Sequence, residues 1–208
     1  MNKDAPVQIT ADMIKALRAE TGAGVLDCRK ALQEANGDFQ KAVEWLREKG
    51  MATAANRADR VASNGAIEMY SHGGGRVGVM VEVNCETDFV ARSEQFRTLA
   101  HEIALQIAAN APKYVSPADI PQAEIERETE KARARGKEEG KPDAVIDKIV
   151  EGYLDKYKDE VCLLRQPYVR DDTITVEQLV MQNVAAIGEN VIVRRFKRWE
   201  LGESAAES

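Results

Sequence analysis

Cys85 and His101 are the residue types of a thiol nucleophile and its general base. A single cysteine closing an apolar strand is more commonly a packing residue, so Cys85 reads as core. Residues 73–78 (GGGRVG) fit the pattern G-x-G-x-x-G. A dinucleotide loop needs a helix start directly after it, and here a valine-alternating strand follows. His72 with Gly73–Gly75 resembles an esterase oxyanion loop. That chemistry needs a G-x-S-x-G elbow, which the sequence lacks. The glycines suit a hairpin turn instead. No G-x-x-x-x-G-K-[ST] occurs, so the chain is not itself a P-loop hydrolase. Residues 194–199 (RRFKRW) form the one basic and aromatic cluster. In a strand its basic side chains divide between two faces, which predicts edge-strand charge and internal ion pairs rather than nucleic-acid contact.

The most informative segment is 82–96, EVNCETDFVARSEQF. A strand ends at Cys85, and Thr87, Asp88, Phe89 and Val90 form a turn into a helix. Two readings stand side by side. Asp88 could cap the helix with Phe89 in the core. Alternatively, Phe89 projects from a stiff corner as an apolar wedge beside a carboxylate, a device suited to prying into another protein.

Three short helices must precede this corner, between Ile9 and Gly50. Ile9, Met13 or Ile14, and Leu17 recur at helical spacing, with Thr10 as N-cap. Gly22 and Gly24 break the first helix. Asn36-Gly37 ends the second, and Asp38 is free to cap the third, which stops at Gly50. A bundle of about forty residues is near the lower size limit for folding unaided, so it leans on the rest of the chain. Residues 51–64 read as a partly helical linker.

Period two then takes over in 66–71 and at Val77, Val79, Val81 and Val83, on either side of the glycines, which signals a β-hairpin. Phe96, Leu99, Ile103, Ile107 and Ala108 stripe a helix over 93–110. Pro112, Pro117 and Pro121 mark a linker. Two charge-dense segments, 122–137 and 142–157, predict a solvated helical hairpin. Residues 163–169 read as extended, Thr175-Val176 opens a helix to Ile187, and 189–201 is a final strand. The fold class is α+β: a three-helix module over 1–50, a linker over 51–64, a small antiparallel sheet packed with helices over 65–202, and a tail at 203–208.

With 29 Lys and Arg against 35 Asp and Glu, the formal charge is -6, which disfavours non-specific phosphate binding. Aromatics at 5% leave little for base stacking. No run approaches the roughly 20 apolar residues of a membrane helix. The start, MNKDAPVQIT, has neither an apolar h-region nor an Arg- and Ser-rich stretch, so a cytoplasmic protein is expected. Cys28, Cys85 and Cys162 show no metal or redox spacing and read as reduced thiols. Two histidines cannot make a His-rich metal site. No cofactor is expected.

The runs over 9–50, 82–96, 163–169 (LLRQPYV) and 188–203 (GENVIVRRFKRWELGE) together resemble the bacterial elongation factor Ts family. The TGAG-x-x-DC-x-KAL run at 21–32 and the TDFV turn are its most specific parts. The resemblance implies a module similar to ubiquitin-associated domains and a core that binds elongation factor Tu and promotes GDP release. It implies that Thr87, Asp88, Phe89 and Val90 dislodge the partner's magnesium ion. It also implies that Leu17, Arg18, Val25, Leu26 and His72 contact the partner. Longer members of the family carry two core halves. Here 72–90 fuses both signatures into one, so a homodimer is expected, with two Tu molecules per dimer and Cys162 as the thiol nearest its interface. No bond is made or broken in such exchange, so no enzyme is implied. The rival from another class is a non-catalytic homodimeric adaptor with the same module.

Overall fold

The computed structural model describes residues 7–203. The first six residues of the expected module, and the expected tail beyond Glu203, lie outside the described residues. The chain divides into two compact units. Among the described residues, one comprises those up to Ala66 with Val83–Leu99 and Gln178–Ile192; the other comprises Ile67–Glu82, Ala100–Glu177 and those from Val193 to Glu203.

The three expected helices form α1 (Ala11–Thr21), α2 (Val25–Glu34) and α3 (Phe39–Ala55). Their starts and stops follow local chemistry. The Thr10 hydroxyl accepts the Met13 amide at 3.3 Å, and Gly22 takes the left-handed conformation that ends α1. The Asp38 carboxylate accepts the Lys41 amide at 3.1 Å. Leu17, Cys28, Ala31, Leu32 and Ala42 are fully buried between the three helices. The expected stop at Gly50 is corrected: α3 continues to Ala55. A mid-helix glycine costs about 1 kcal/mol relative to alanine. Its reason here is close approach, because a Cβ on Gly50 would stand 3.3 Å from the Ala185 methyl.

The hairpin is β1 (Asn64–His72) and β2 (Val77–Cys85), joined through Gly73–Gly75, all with positive φ. Val77, Val79, Val81, Val83 and Cys85 are buried, as their alternation requires. A single turn, α4 (Asp88–Ala91), leads into α5 (Glu94–Asn110). The Ser93 hydroxyl accepts the Phe96 amide at 3.3 Å, and the stripe from Phe96 to Ala108 is buried.

Beyond the prolines come α6 (Gln122–Glu138) and α7 (Asp143–Val161). This hairpin is not merely solvated. Ala132, Ile146 and Val150 form its seam, and Ile120, Val161 and Cys162 its base. Two carboxylates lie inside it. Glu124 accepts from the Tyr114 hydroxyl at 2.8 Å and also from Tyr157, and Glu128 accepts from Tyr153 at 2.6 Å. These tyrosine hydroxyls hold both carboxyls below the usual range. Cys162 is fully buried in the base, with Ile120 and Val161.

Residues 163–165 form one 3-10 turn rather than an extended strand. Then β3 (Pro167–Tyr168) pairs antiparallel with β4 (Asp171–Thr175), a strand that the sequence reading missed. The buried Gln106 amide locks this corner, donating to the Gln166 side chain at 3.2 Å and accepting from the Val169 amide at 2.8 Å. α8 (Val176–Ile187) follows, and β5 (Val191–Glu200) completes a three-stranded sheet of order β1-β2-β5.

Candidate functional site

Thr87 ends the extended backbone after β2, and its hydroxyl accepts the Val90 amide at 3.3 Å. It, and not Asp88, is the cap of α4. The Asp88 carboxylate instead pairs with Arg92 one turn on, at 2.5 Å. Thr87 is held on every polar atom. Its amide donates to Glu189 Oε2 at 3.0 Å and its hydroxyl to Glu189 Oε1 at 2.6 Å. Its carbonyl accepts from the Ala91 amide and from the Cys85 thiol, both at 3.2 Å. The next residue along from Glu189 is equally engaged. The Asn190 amide donates to Glu86 at 2.7 Å, and its side chain donates to the carbonyls of Ala58 and Arg60.

On this fixed corner Phe89 is 81% exposed, while Ala91 on the opposite side of the turn is buried. The core reading of Phe89 is thereby excluded: its side chain projects into solvent. Val90 is half-buried. In the three-helix module, Val25 and Leu26 begin α2 with 50% and 79% exposure, and Arg18 is exposed on α1. Leu17 differs from the expectation of an exposed contact: it is fully buried in the cluster with Cys28 and Leu32, so its side chain packs the module's core. His72 lies in the other unit, exposed at the end of β1, where its Nδ1 meets the Tyr70 hydroxyl at 3.1 Å.

Competing chemistries lose their groups. Cys85 is fully buried, and burial, then the Glu189 charge, push its thiol up. It stays a protonated donor to Thr87. His101 is engaged by Glu68 at 3.0 Å. In the basic cluster, Arg195 pairs with Glu82 at 2.7 Å, and Arg198 pairs with Glu200 and Glu203 at 2.6 and 2.9 Å. Among the described residues no group of three or more His, Cys, Asp or Glu is placed to hold a metal ion. None of their helices is long and apolar enough to cross a membrane.

Sequence reasoning missed Glu189 and Asn190. Their only local signal is a polar pair between a helix end and an apolar strand, after Gly188. Nothing in the spacing says that a carboxylate there reaches back 102 residues to Thr87.

Known proteins match this sequence over nearly its whole length. The family model described as elongation factor TS matches residues 8–203. The chain is 54% identical over 199 residues to elongation factor Ts of Carboxydothermus hydrogenoformans, covering 96% of this chain and 92% of that one. It is 52% identical over 200 residues to that of Moorella thermoacetica, covering 96% and 98%. It is 55% identical over 195 residues to that of Caldanaerobacter subterraneus, covering 94% and 98%. With the match running nearly end to end, the chain belongs to the elongation factor Ts family.

Proposed function

We propose that this chain, a nucleotide exchange factor of translation elongation, binds elongation factor Tu and speeds GDP release by driving Phe89 into the partner so that its magnesium ion is displaced. The observation that carries this reading is an 81% exposed phenylalanine on a corner whose backbone is pinned from behind. An adaptor that leaves nucleotides alone has no use for such a group.

Exchange needs differential affinity and no bond chemistry. A factor that binds nucleotide-free Tu more tightly than GDP-bound Tu weakens GDP by the same ratio. Shifting an affinity from about nM to about μM takes about 4 kcal/mol. Burying one phenylalanine supplies about 1.5–3 kcal/mol. The rest comes from anchoring, and Val25, Leu26 and Arg18 on the three-helix module, which we take as ubiquitin-associated-like, supply it. His72 adds a polar contact from the hairpin. The chain works in the cytoplasm, without cofactor, membrane or nucleic acid.

Assembly follows from the sheet. Ile67, Met69 and Met80 are exposed apolar residues on β1 and β2, alternating with half-buried or buried ones. A two-fold homodimer that covers this face in both copies uses one surface twice. Two Tu molecules then bind per dimer. Sedimentation at micromolar concentration tests this, and a monomer with full exchange activity overturns it. The exchange reading is tested by release of labelled GDP from Tu with and without this chain, with unchanged release as the failing result.

A further inference from the structure

We propose that Glu189 is the positioning residue of the exchange corner: its two carboxylate oxygens grip Thr87 and thereby aim the turn that carries Phe89. This rests on the exchange reading above and asks what makes the wedge stiff. α4 has four residues, far below the length at which a helix holds itself together. Phe89 is too exposed to fix its own place. With only Ala91 of its four residues buried, the turn takes its position chiefly from its cap.

The cap is gripped in a way that leaves it one conformation. The Thr87 amide meets Oε2 at 3.0 Å and its hydroxyl meets Oε1 at 2.6 Å, which fixes backbone and side chain together. Because the hydroxyl's proton is committed to the carboxylate, its lone pair faces the Val90 amide at 3.3 Å. A hydroxyl that donates to a carboxylate is also the better acceptor. The Glu189 charge helps keep the Cys85 thiol protonated, so the third polar atom of Thr87 keeps its donor.

The adjoining Asn190 makes this a junction. Its side chain holds the carbonyls of Ala58 and Arg60, the stretch that follows α3, at 3.1 and 2.8 Å. Its amide reaches Glu86, whose carboxylate also meets Arg60 at 3.6 Å. One dipeptide thus fastens the wedge's cap and the root of the anchoring module. Glu189 touches no reacting atom, so its effect belongs to the rate of release from the bound complex and not to association.

The test is labelled-GDP release from Tu over a range of concentrations of the full-length chain. Glu189→Ala is expected to lower the maximal release rate at least about tenfold, because it removes both of the hydrogen bonds that Thr87 makes to this charged group. The half-saturating concentration should stay within about twofold. Glu189→Gln should recover most of the rate, because its carbonyl can accept the Thr87 amide and its NH2 can donate to the Thr87 hydroxyl. If Glu189→Ala does not fold, Thr87→Val carries the test: it keeps the amide contact to Glu189, loses the hydroxyl's contacts to Glu189 and to the Val90 amide, and should likewise lower the maximal rate. Wild-type maximal rates in these variants, or a loss that appears wholly as a raised half-saturating concentration, overturn the inference. If the unmodified chain does not accelerate release at all, the exchange reading itself has failed, and that result is distinct from the others.

Discussion

Two exposed apolar groups sit at helix starts, and they are built in opposite ways. Val25 and Leu26 begin a ten-residue helix whose cap, Gly24, makes no side-chain hydrogen bond. That start is rooted further along, by the Asp27 pair with Lys49 and by the buried Cys28, Ala31 and Leu32. Phe89 begins a helix of four residues, and there the cap is tied down on every polar atom. A long helix holds its first turn through the burial of its inner face. A short one has no such face to speak of, so polar contacts from elsewhere must hold it. The first arrangement suits an anchor that can adjust to a surface; the second suits a wedge that must not yield.

Substitutions can break or sharpen that contrast. The largest effect is expected at the root of the anchor. Leu17→Ala should destabilise the module by about 2–5 kcal/mol, read as a lower thermal midpoint. An unchanged midpoint would mean that the module does not depend on its small core. Phe89→Ala should lower the maximal rate of GDP release tenfold or more, following a burial term of about 1.5–3 kcal/mol. Its melting temperature should hold, because the side chain is already in solvent. A variant that unfolds would return Phe89 to a core role.

Leu26→Ala should weaken association with Tu by about 1 kcal/mol, roughly fivefold in half-saturating concentration, with the maximal rate preserved. A fall in maximal rate alone would erase the distinction between anchor and wedge. The smallest effect belongs to Gly24→Ser. Its φ of -62° and ψ of 150° suit a serine cap, and a Cβ there would meet the Asp27 carboxylate at an ordinary 3.6 Å. Replacing a glycine cap in this way should stabilise by a few tenths of a kcal/mol, about one degree in melting temperature. Slower exchange in this variant would show that the loose start is itself used.

Much of this was legible from residue order. The valines of β2, the stripe along α5 and the caps Thr10 and Asp38 are local patterns with local causes. The illegible parts have distant causes. Thr87 and Asp88 are both good cap residues, and the choice between them is made by Glu189, 102 residues away. Gly50 looks like a stop until Ala185 is seen to need the space. β4 begins with two exposed aspartates and buries only Ile174, so it carries almost no strand signal. Leu17 shows two sources of expectation in conflict. The helical stripe assigned it to the core and the family likeness to a contact surface, and its burial follows the stripe.

The three cysteines are all free and all buried, one in the three-helix module, one beneath the exchange corner and one at the base of the helical hairpin. Burial raises each thiol above its ordinary range, so a closed site scarcely reacts with an alkylating reagent. Labelling then proceeds only as fast as each neighbourhood opens. The chain thus contains three separately addressable clocks for local unfolding, distinguishable by peptide mass. The order in which Cys28, Cys85 and Cys162 become labelled, with and without Tu, would show which part breathes first and which the partner silences.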